Sequence, residues 1–135
     1  IDASATDDVA QAVRALTQGR GADVVFELVA TTPTMTASTG MLAKRGRLVF
    51  ISYSEDPYQV HPIQLVINEA VVKASVGNTL AELHEALALV ADGTVRTHVE
   101  RTLDLERWPD GFEALASGRA VGRIVLTPHG EAAER

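Results

Sequence analysis

A chain of 135 residues, 46% hydrophobic but only 4% aromatic, has room for one domain whose moderate core is built from Val, Leu, Ile and Ala. A formal net charge of -6, with 12 Lys and Arg scattered along the chain, argues against a nucleic-acid partner, whose phosphates require clustered cations. The chain has no cysteine, which excludes disulfides and thiolate metal sites and makes the cytoplasm the expected location; its apolar runs fall short of the roughly 20 residues of a membrane span, so a soluble protein is expected.

The chain opens on Ile1, and IDAS reads as the end of a strand with a loop behind it, so a piece of something longer is expected. Residues 4–8 supply cap oxygens and two acids suited to the positive end of a helix, and Val9, Val13 and Leu16 then recur at helical spacing. Gln18, Gly19, Arg20 and Gly21 end that helix. Val24, Val25, Phe26, Leu28 and Val29 form a continuous apolar run, which reads as a parallel strand covered on both faces. Thr32 is then expected to cap a helix with Pro33 at its first position, Lys44 and Arg45 in its last turn and Gly46 just past its end. A second buried strand, residues 47–52, follows this crossover helix, so the two strands are expected to be parallel.

The segment YSEDPYQVHP reads as a surface loop at the carboxyl end of the second strand, where ligands commonly bind. Pro62 starts a short helix with Ile63, Val66, Ile67 and Ala70 on one face, and residues 71–76 (VVKASV) give a third strand. Thr79 and Glu82 form a capping box ahead of an apolar stripe of Leu80, Leu83, Leu87 and Val90 that runs to Gly93. Residues 97–103 alternate, with Val99, Arg101 and Leu103 on one face, which suggests a half-exposed strand of an antiparallel or mixed sheet. A helix through Phe112, Leu115 and Ala116 starts or is distorted at Pro109, with Trp108 as a core or interface aromatic. Residues 123–127 make a last short strand, and residues 129–135 read as a frayed tail.

The stretches GADVVFELVA, KRGRLVFIS, VVKASVG, NTLAELHEALALVADG and LASGRAVGRIVLTP, in this order and spacing, resemble the carboxyl-terminal part of the zinc-type alcohol dehydrogenases, the medium-chain dehydrogenase/reductase family. The resemblance covers nearly the whole chain. It implies an α/β fold: residues 1–95 are the second half of a doubly wound parallel Rossmann sheet whose glycine-rich half is absent, and residues 96–128 are a strand-helix-strand piece that rejoins a missing catalytic domain. It implies NAD or NADP as cofactor, and zinc in the parent enzyme with none of its ligands in this chain. It also implies a small alcohol or carbonyl substrate, and a homo-oligomer formed through the 71–76 strand.

Several positions acquire roles only through this resemblance. Val29 and Ala30 fall beside the adenosine half of the cofactor, and Ile51 and Ser52 fall against the nicotinamide; glycine is usual at both Ala30 and Ser52. Ser75 and Gly77 match backbone groups that bind the nicotinamide carboxamide. Arg123 matches a basic position near the cofactor phosphates, or else is a solvated charge flanking a strand.

His61, His84, His98 and His129 lack metal-ligand spacing. Ser52 with His61 lacks the strained elbow of a hydrolase nucleophile. Glu27, in a buried strand, has the features of a catalytic base with a raised pKa, or of a carboxylate paired with a neighbour. The expected function is therefore that of an NAD(P)-dependent oxidoreductase fragment, inactive by itself. The alternatives are a fragment of a zinc-independent quinone or enoyl reductase, and a non-catalytic Rossmann-like interaction module.

Overall fold

The computed structural model describes residues 1–128, so the expected tail, His129 included, lies outside the described residues. The chain divides into two compact units, Ile1–Gly77 and a second that begins at Asn78.

In the first unit, helix α1 (Val9–Leu16) is capped by the Asp8 carboxylate, which accepts from the Gln11 N–H at 2.8 Å. Strand β1 (Ala22–Glu27), helix α2 (Thr32–Gly40), strand β2 (Leu42–Phe50), helix α3 (Pro62–Asn68) and strand β3 (Val71–Ala74) follow. The sheet is parallel, in the order β1-β2-β3, with Val25 opposite Leu48 and Leu48 opposite Val72. Val25, Leu42 and the fully buried Leu48 form its core, against which Met41, Phe50, Tyr58 and Val72 pack. Parallel pairing brings the carboxyl ends of all three strands to one edge of the sheet.

Two expectations are corrected in this unit. First, β1 is not covered on both faces: Val25 and Glu27 are buried, while Val24 and Phe26 are 44% and 60% exposed. A continuous apolar run records that both faces are hydrophobic, but not what covers them, and no element of this unit lies over the second face.

Second, α2 is capped by Thr31 and ends at Gly40, well before Lys44, Arg45 and Gly46. The Ala22 N–H takes the Met41 carbonyl at 2.8 Å, and Leu42 pairs with Ala22, so the chain enters β2 a full turn early. A bulge follows, because the next pair is Val24 with Arg47 and Arg45 sits at φ +62°. Lys44 and Arg45 ride on this bulge and pair with Glu69 at 3.3 and 2.8 Å, so the cations read as a helix terminus belong to a strand. The Arg14 guanidinium closes the same corner, donating to the Gly40 carbonyl at 3.0 Å and the Leu42 carbonyl at 2.9 Å.

In the second unit, helix α4 (Leu80–Ala91) carries the expected capping box: the Thr79 N–H donates to Glu82 at 2.7 Å and the Glu82 N–H donates to Thr79 Oγ1 at 3.2 Å. Strand β4 (Val99–Asp104), helix α5 (Trp108–Ala116) and strand β5 (Arg123–Thr127) form a strand-helix-strand unit with Leu103 opposite Leu126. The pair is parallel, which corrects the antiparallel or mixed sheet expected from the alternation in residues 97–103. Alternation reports that one face is exposed; the crossover helix sets the direction. Pro109 sits in the first turn of α5, and Trp108 packs edge-on against Phe112 at 5.6 Å while remaining half exposed.

Gly19 and Gly21 separate two costs. Both have positive φ, but a Cβ at Gly19 meets nothing within 4 Å, whereas one at Gly21 falls 2.7 Å from the Met41 carbonyl oxygen and 2.8 Å from the Ala43 nitrogen. Gly19→Ala is expected to cost about 1 kcal/mol of backbone strain and Gly21→Ala about 3 kcal/mol, since backbone must also move. Urea unfolding of both variants checks the difference, and equal losses would contradict the close approach.

Candidate functional site

The register fixes what the sheet edge presents. Glu27 lies opposite Phe50 and Phe50 opposite Ala74, so the residues that follow each strand start level with one another. Pairing runs on past the strands: the Ile51 N–H donates to the Glu27 carbonyl at 3.0 Å and the Ser75 N–H to the Phe50 carbonyl at 2.9 Å. Val29, Ala30, Ile51, Ser52, Ser75 and Gly77 are thereby brought to one edge of the first unit. Arg123 belongs to the second unit, where it opens β5 with its N–H on the His98 carbonyl at 2.9 Å.

The Glu27 carboxylate organises this edge. Its side chain is buried at 3% exposure, on the face of β1 that α2 covers. Oε1 accepts from the Val29 N–H at 2.9 Å, the Ala30 N–H at 2.8 Å and Thr34 Oγ1 at 3.1 Å, and Oε2 accepts from Ser38 Oγ at 2.6 Å. Thr34 and Ser38 are one helical turn apart, so α2 presents both hydroxyls to the same carboxylate. Burial pushes the Glu27 pKa up, but the hydrogen bonds from the Ala30 N–H, Ser38, the Val29 N–H and Thr34 outweigh it and hold the group below its ordinary value. The raised pKa of the catalytic-base reading is therefore corrected, and the alternative of a carboxylate paired with its neighbours holds, the partners being two backbone amides and two hydroxyls.

Ala30 sits at φ +61°, a conformation that glycine adopts without strain. Ser54 Oγ donates to the Ala30 carbonyl, and the Asp56 carboxylate accepts from the Thr32 N–H at 3.0 Å. The Thr39 and Tyr58 hydroxyls share a hydrogen bond at 2.8 Å, and Tyr58 stands edge-on to Phe50 at 5.1 Å. The loop after β2 is thus tied to the turn after β1.

At β3, the Ser75 N–H is consumed by Phe50, whereas among the described residues neither the Ser75 carbonyl nor the Gly77 N–H has a backbone partner. One acceptor and one donor remain for an amide-bearing ligand. Ser52 Oγ donates to the Glu27 carbonyl at 3.4 Å rather than to an imidazole. Among the described residues, no group of three His, Cys, Asp or Glu could hold a metal ion, so the residues present do not fit a zinc site. A groove of about 720 Å³ between α1 and α2, lined by Asp8, Arg14, Thr36 and Gln64, includes none of the sheet-edge residues. Among the described residues, no helix is long and apolar enough to cross a membrane.

Residues 1–126 match the family described as zinc-binding dehydrogenase. The chain belongs to that family. It is 30% identical over 128 residues to an NAD-dependent alcohol dehydrogenase of Sulfurisphaera tokodaii, covering 95% of this chain and 37% of that protein. It is 32% identical over 108 residues to an acryloyl-coenzyme A reductase of Metallosphaera sedula, covering 78% of this chain and 32% of that protein. The crystal structure of the alcohol dehydrogenase from Aeropyrum pernix superposes with a TM-score of 0.86 at 30% identity, covering 95% of this chain and 36% of that one. The α/β fold with parallel strands therefore corresponds to part of the Rossmann-like region of alcohol dehydrogenases. The chain spans about a third of the length of these relatives.

Sequence reasoning missed the part played by Thr34 and Ser38. The available signal was a glutamate at a strand end followed by two hydroxyl residues at helical spacing, seven and eleven positions on.

A carboxylate whose pKa is lower in the folded than in the unfolded chain adds stability at pH values above its unfolded pKa, and that stability is lost as the pH falls through the folded value. The stability difference between wild type and Glu27→Gln is therefore expected to be constant above about pH 5 and to shrink below the ordinary glutamate pKa of about 4.3. Urea unfolding of both proteins across acid pH measures it. A difference that grows on acidification would contradict the assignment.

Proposed function

We propose that this chain supplies the nicotinamide-side half of the cofactor surface in an NAD(P)-dependent oxidoreductase of alcohol dehydrogenase type. Residues 1–95 are assigned to the Rossmann part and residues 96–128 to the segment that rejoins a catalytic domain. The observation that carries the reading is the sheet edge, on which three parallel strands end level and leave the Ser75 carbonyl and Gly77 N–H open. An acceptor and a donor held on a rigid backbone suit the amide of a nicotinamide.

When bound, the nicotinamide accepts a hydride from an alcohol carbon or returns it to a carbonyl. This chain's residues bind and orient: Ser75 and Gly77 hold the carboxamide, Ile51 and Ser52 pack against the ring, and Val29 and Ala30 border the adenosine half. Arg123 offsets phosphate charge. No step is assigned to a zinc ion here, because the described residues do not fit one, and the chain by itself is taken to be inactive. A small alcohol or carbonyl substrate, a cytoplasmic location and a homo-oligomer through the β3 edge complete the reading.

The similarity to an acryloyl-coenzyme A reductase favours a second reading, in which the same cofactor half serves reduction of an enoyl substrate. A non-catalytic module is the contrasting case.

Saturation-transfer NMR on the 135-residue chain with about 1 mM NAD or NADH separates these, because even binding near −4 kcal/mol is visible at that concentration. Transfer to the nicotinamide protons is the expected result. Absence of transfer to any dinucleotide proton would favour the non-catalytic module.

A further inference from the structure

Arg123 opens β5 in the second unit, and what holds its backbone in place is an irregularity in the strand beside it. Val99 pairs with Arg123 and Arg101 with Ile124, so Glu100 is an extra residue of β4 with no partner across the sheet. A bulge of this kind re-aims a side chain out of the alternation of its strand. Here it aims the Glu100 carboxylate at the chain ahead of β5, where Oε2 accepts from the Val121 N–H at 2.6 Å. The next two residues are held as well. Gly122, at φ +90°, lies so close to His98 that a Cβ would fall 2.5 Å from the His98 carbonyl oxygen and 2.7 Å from its ring. The Arg123 N–H donates to that same carbonyl at 2.9 Å. Residues 121–123 are thus fixed at successive points by residues 98–100.

The arginine side chains around this turn are not alike. Arg101 folds back on its neighbour, its Nε and Nη2 both donating to Glu100 Oε1, the first at 3.0 Å. Arg119 donates to Ser117 Oγ at 2.8 Å and pairs with Glu113 at 3.6 Å. Arg123 is exposed, and among the described residues its guanidinium has no acidic partner within ion-pair distance. Glu100 does not cancel that charge. The Arg101 hydrogen bond, and after it the Val121 N–H, hold the Glu100 carboxyl below its ordinary value, so it is ionised at neutral pH, but its ion pair is with Arg101.

We propose that Glu100 is a positioning residue, turned by the β4 bulge onto the Val121 N–H so that the 121–123 turn holds Arg123 with its guanidinium free for a phosphate of the dinucleotide. The proposal rests on the cofactor reading above, in which Arg123 offsets phosphate charge, and adds to it the residue through which that cation is placed. A guanidinium on a loose turn must be ordered together with its backbone when the ligand arrives, and that lost freedom is subtracted from affinity. On a turn already held, only the side chain has freedom to lose.

Replacements at Glu100 separate its parts. Glutamine keeps an oxygen for the Val121 N–H and gives up the ion pair with Arg101. Alanine gives up both. Aspartate keeps the charge but is one methylene shorter and falls short of the Val121 N–H.

The test is a double-mutant cycle between Glu100 and Arg123 in the ¹⁵N-labelled 135-residue chain, read by chemical-shift titration with NADH and by amide hydrogen exchange at Val121. Arg123→Ala is expected to weaken NADH binding about tenfold, the worth of one charge-assisted hydrogen bond. Glu100→Ala is expected to open the Val121 amide to exchange, and to weaken NADH binding about fivefold when Arg123 is present but less than about twofold in the Arg123→Ala background. Glu100→Gln is expected to keep the protection of Val121 and an NADH affinity within about twofold of wild type. If Glu100→Ala does not fold, Glu100→Asp takes its place in the same cycle with the same expected pattern.

A wild-type chain that binds no NADH would overturn the cofactor reading, and the proposal with it. Binding that Arg123→Ala leaves unchanged, or a loss on Glu100→Ala that is equally large with and without Arg123, would overturn the proposal and leave that reading in place. So would a Glu100→Gln chain that keeps Val121 protected and still loses affinity.

Discussion

The first unit depends on how the chain leaves β1. A parallel strand followed by a helix on one face must turn sharply, and the amides of that turn have no strand or helix partner of their own. Glu27 resolves this by carrying its carboxylate into the space between β1 and α2, where it receives two backbone amides and two hydroxyls. Burying an ionised group is costly unless it is fully hydrogen-bonded, so the same four contacts that fix the turn also keep the carboxylate charged. Because the Glu27 carbonyl receives the Ile51 N–H, the loop after β2 is set by the same residue. Ser54, Asp56 and Tyr58 then tie that loop back to α2 or to the turn before it.

The element order was legible in the sequence because its signals are local. The capping box of Thr79 and Glu82, the prolines at 33, 62 and 109 in first helical turns, and the run at 123–127 each appear where the residues placed them. What could not be read locally was decided by pairing. Lys44, Arg45 and Gly46 carry the marks of a helix end, yet Ala22 captures Leu42 into the sheet and the cations find Glu69 instead. A strand partner many residues away outweighs the pull of a helix dipole on exposed lysine and arginine, which is worth about 0.3–1 kcal/mol for each charge. The parallel pairing of β4 and β5 was hidden for a similar reason, since it follows from connectivity and not from the alternation of 97–103.

The candidate positions were named by resemblance, and their chemistry was not legible in the sequence. Resemblance pointed to the ends of the three strands, and the level register of the sheet is a reason for those ends to act together. It gave no hint that the Ser75 N–H is spent on Phe50 while that of Gly77 is open, because hydrogen-bond bookkeeping needs coordinates. Nor did it choose between the two readings of Glu27, a base with a raised pKa or a carboxylate paired with a neighbour; the structure shows the second, with the pKa held down by its hydrogen-bond donors. Desolvation by itself would give the first result; the Ala30 N–H, Ser38, the Val29 N–H and Thr34 together give the second.

The chain, a member of the zinc-binding dehydrogenase family, divides into two compact units. A sheet edge on which three parallel strands end level belongs to the first unit, and a strand-helix-strand piece with exposed aromatic side chains at Trp108 and Phe112 belongs to the second. The claim on which the site depends is that Glu27 is ionised and saturated in the folded chain. The most direct measurement is the ¹³C shift of the Glu27 side-chain carboxyl followed by NMR as the pH is lowered. A carboxylate that stays ionised below the ordinary range near about 4.3, and takes up a proton only as the fold is lost, is the predicted result. Titration at or above that range would mean a protonated, unsaturated side chain, and would contradict the arrangement.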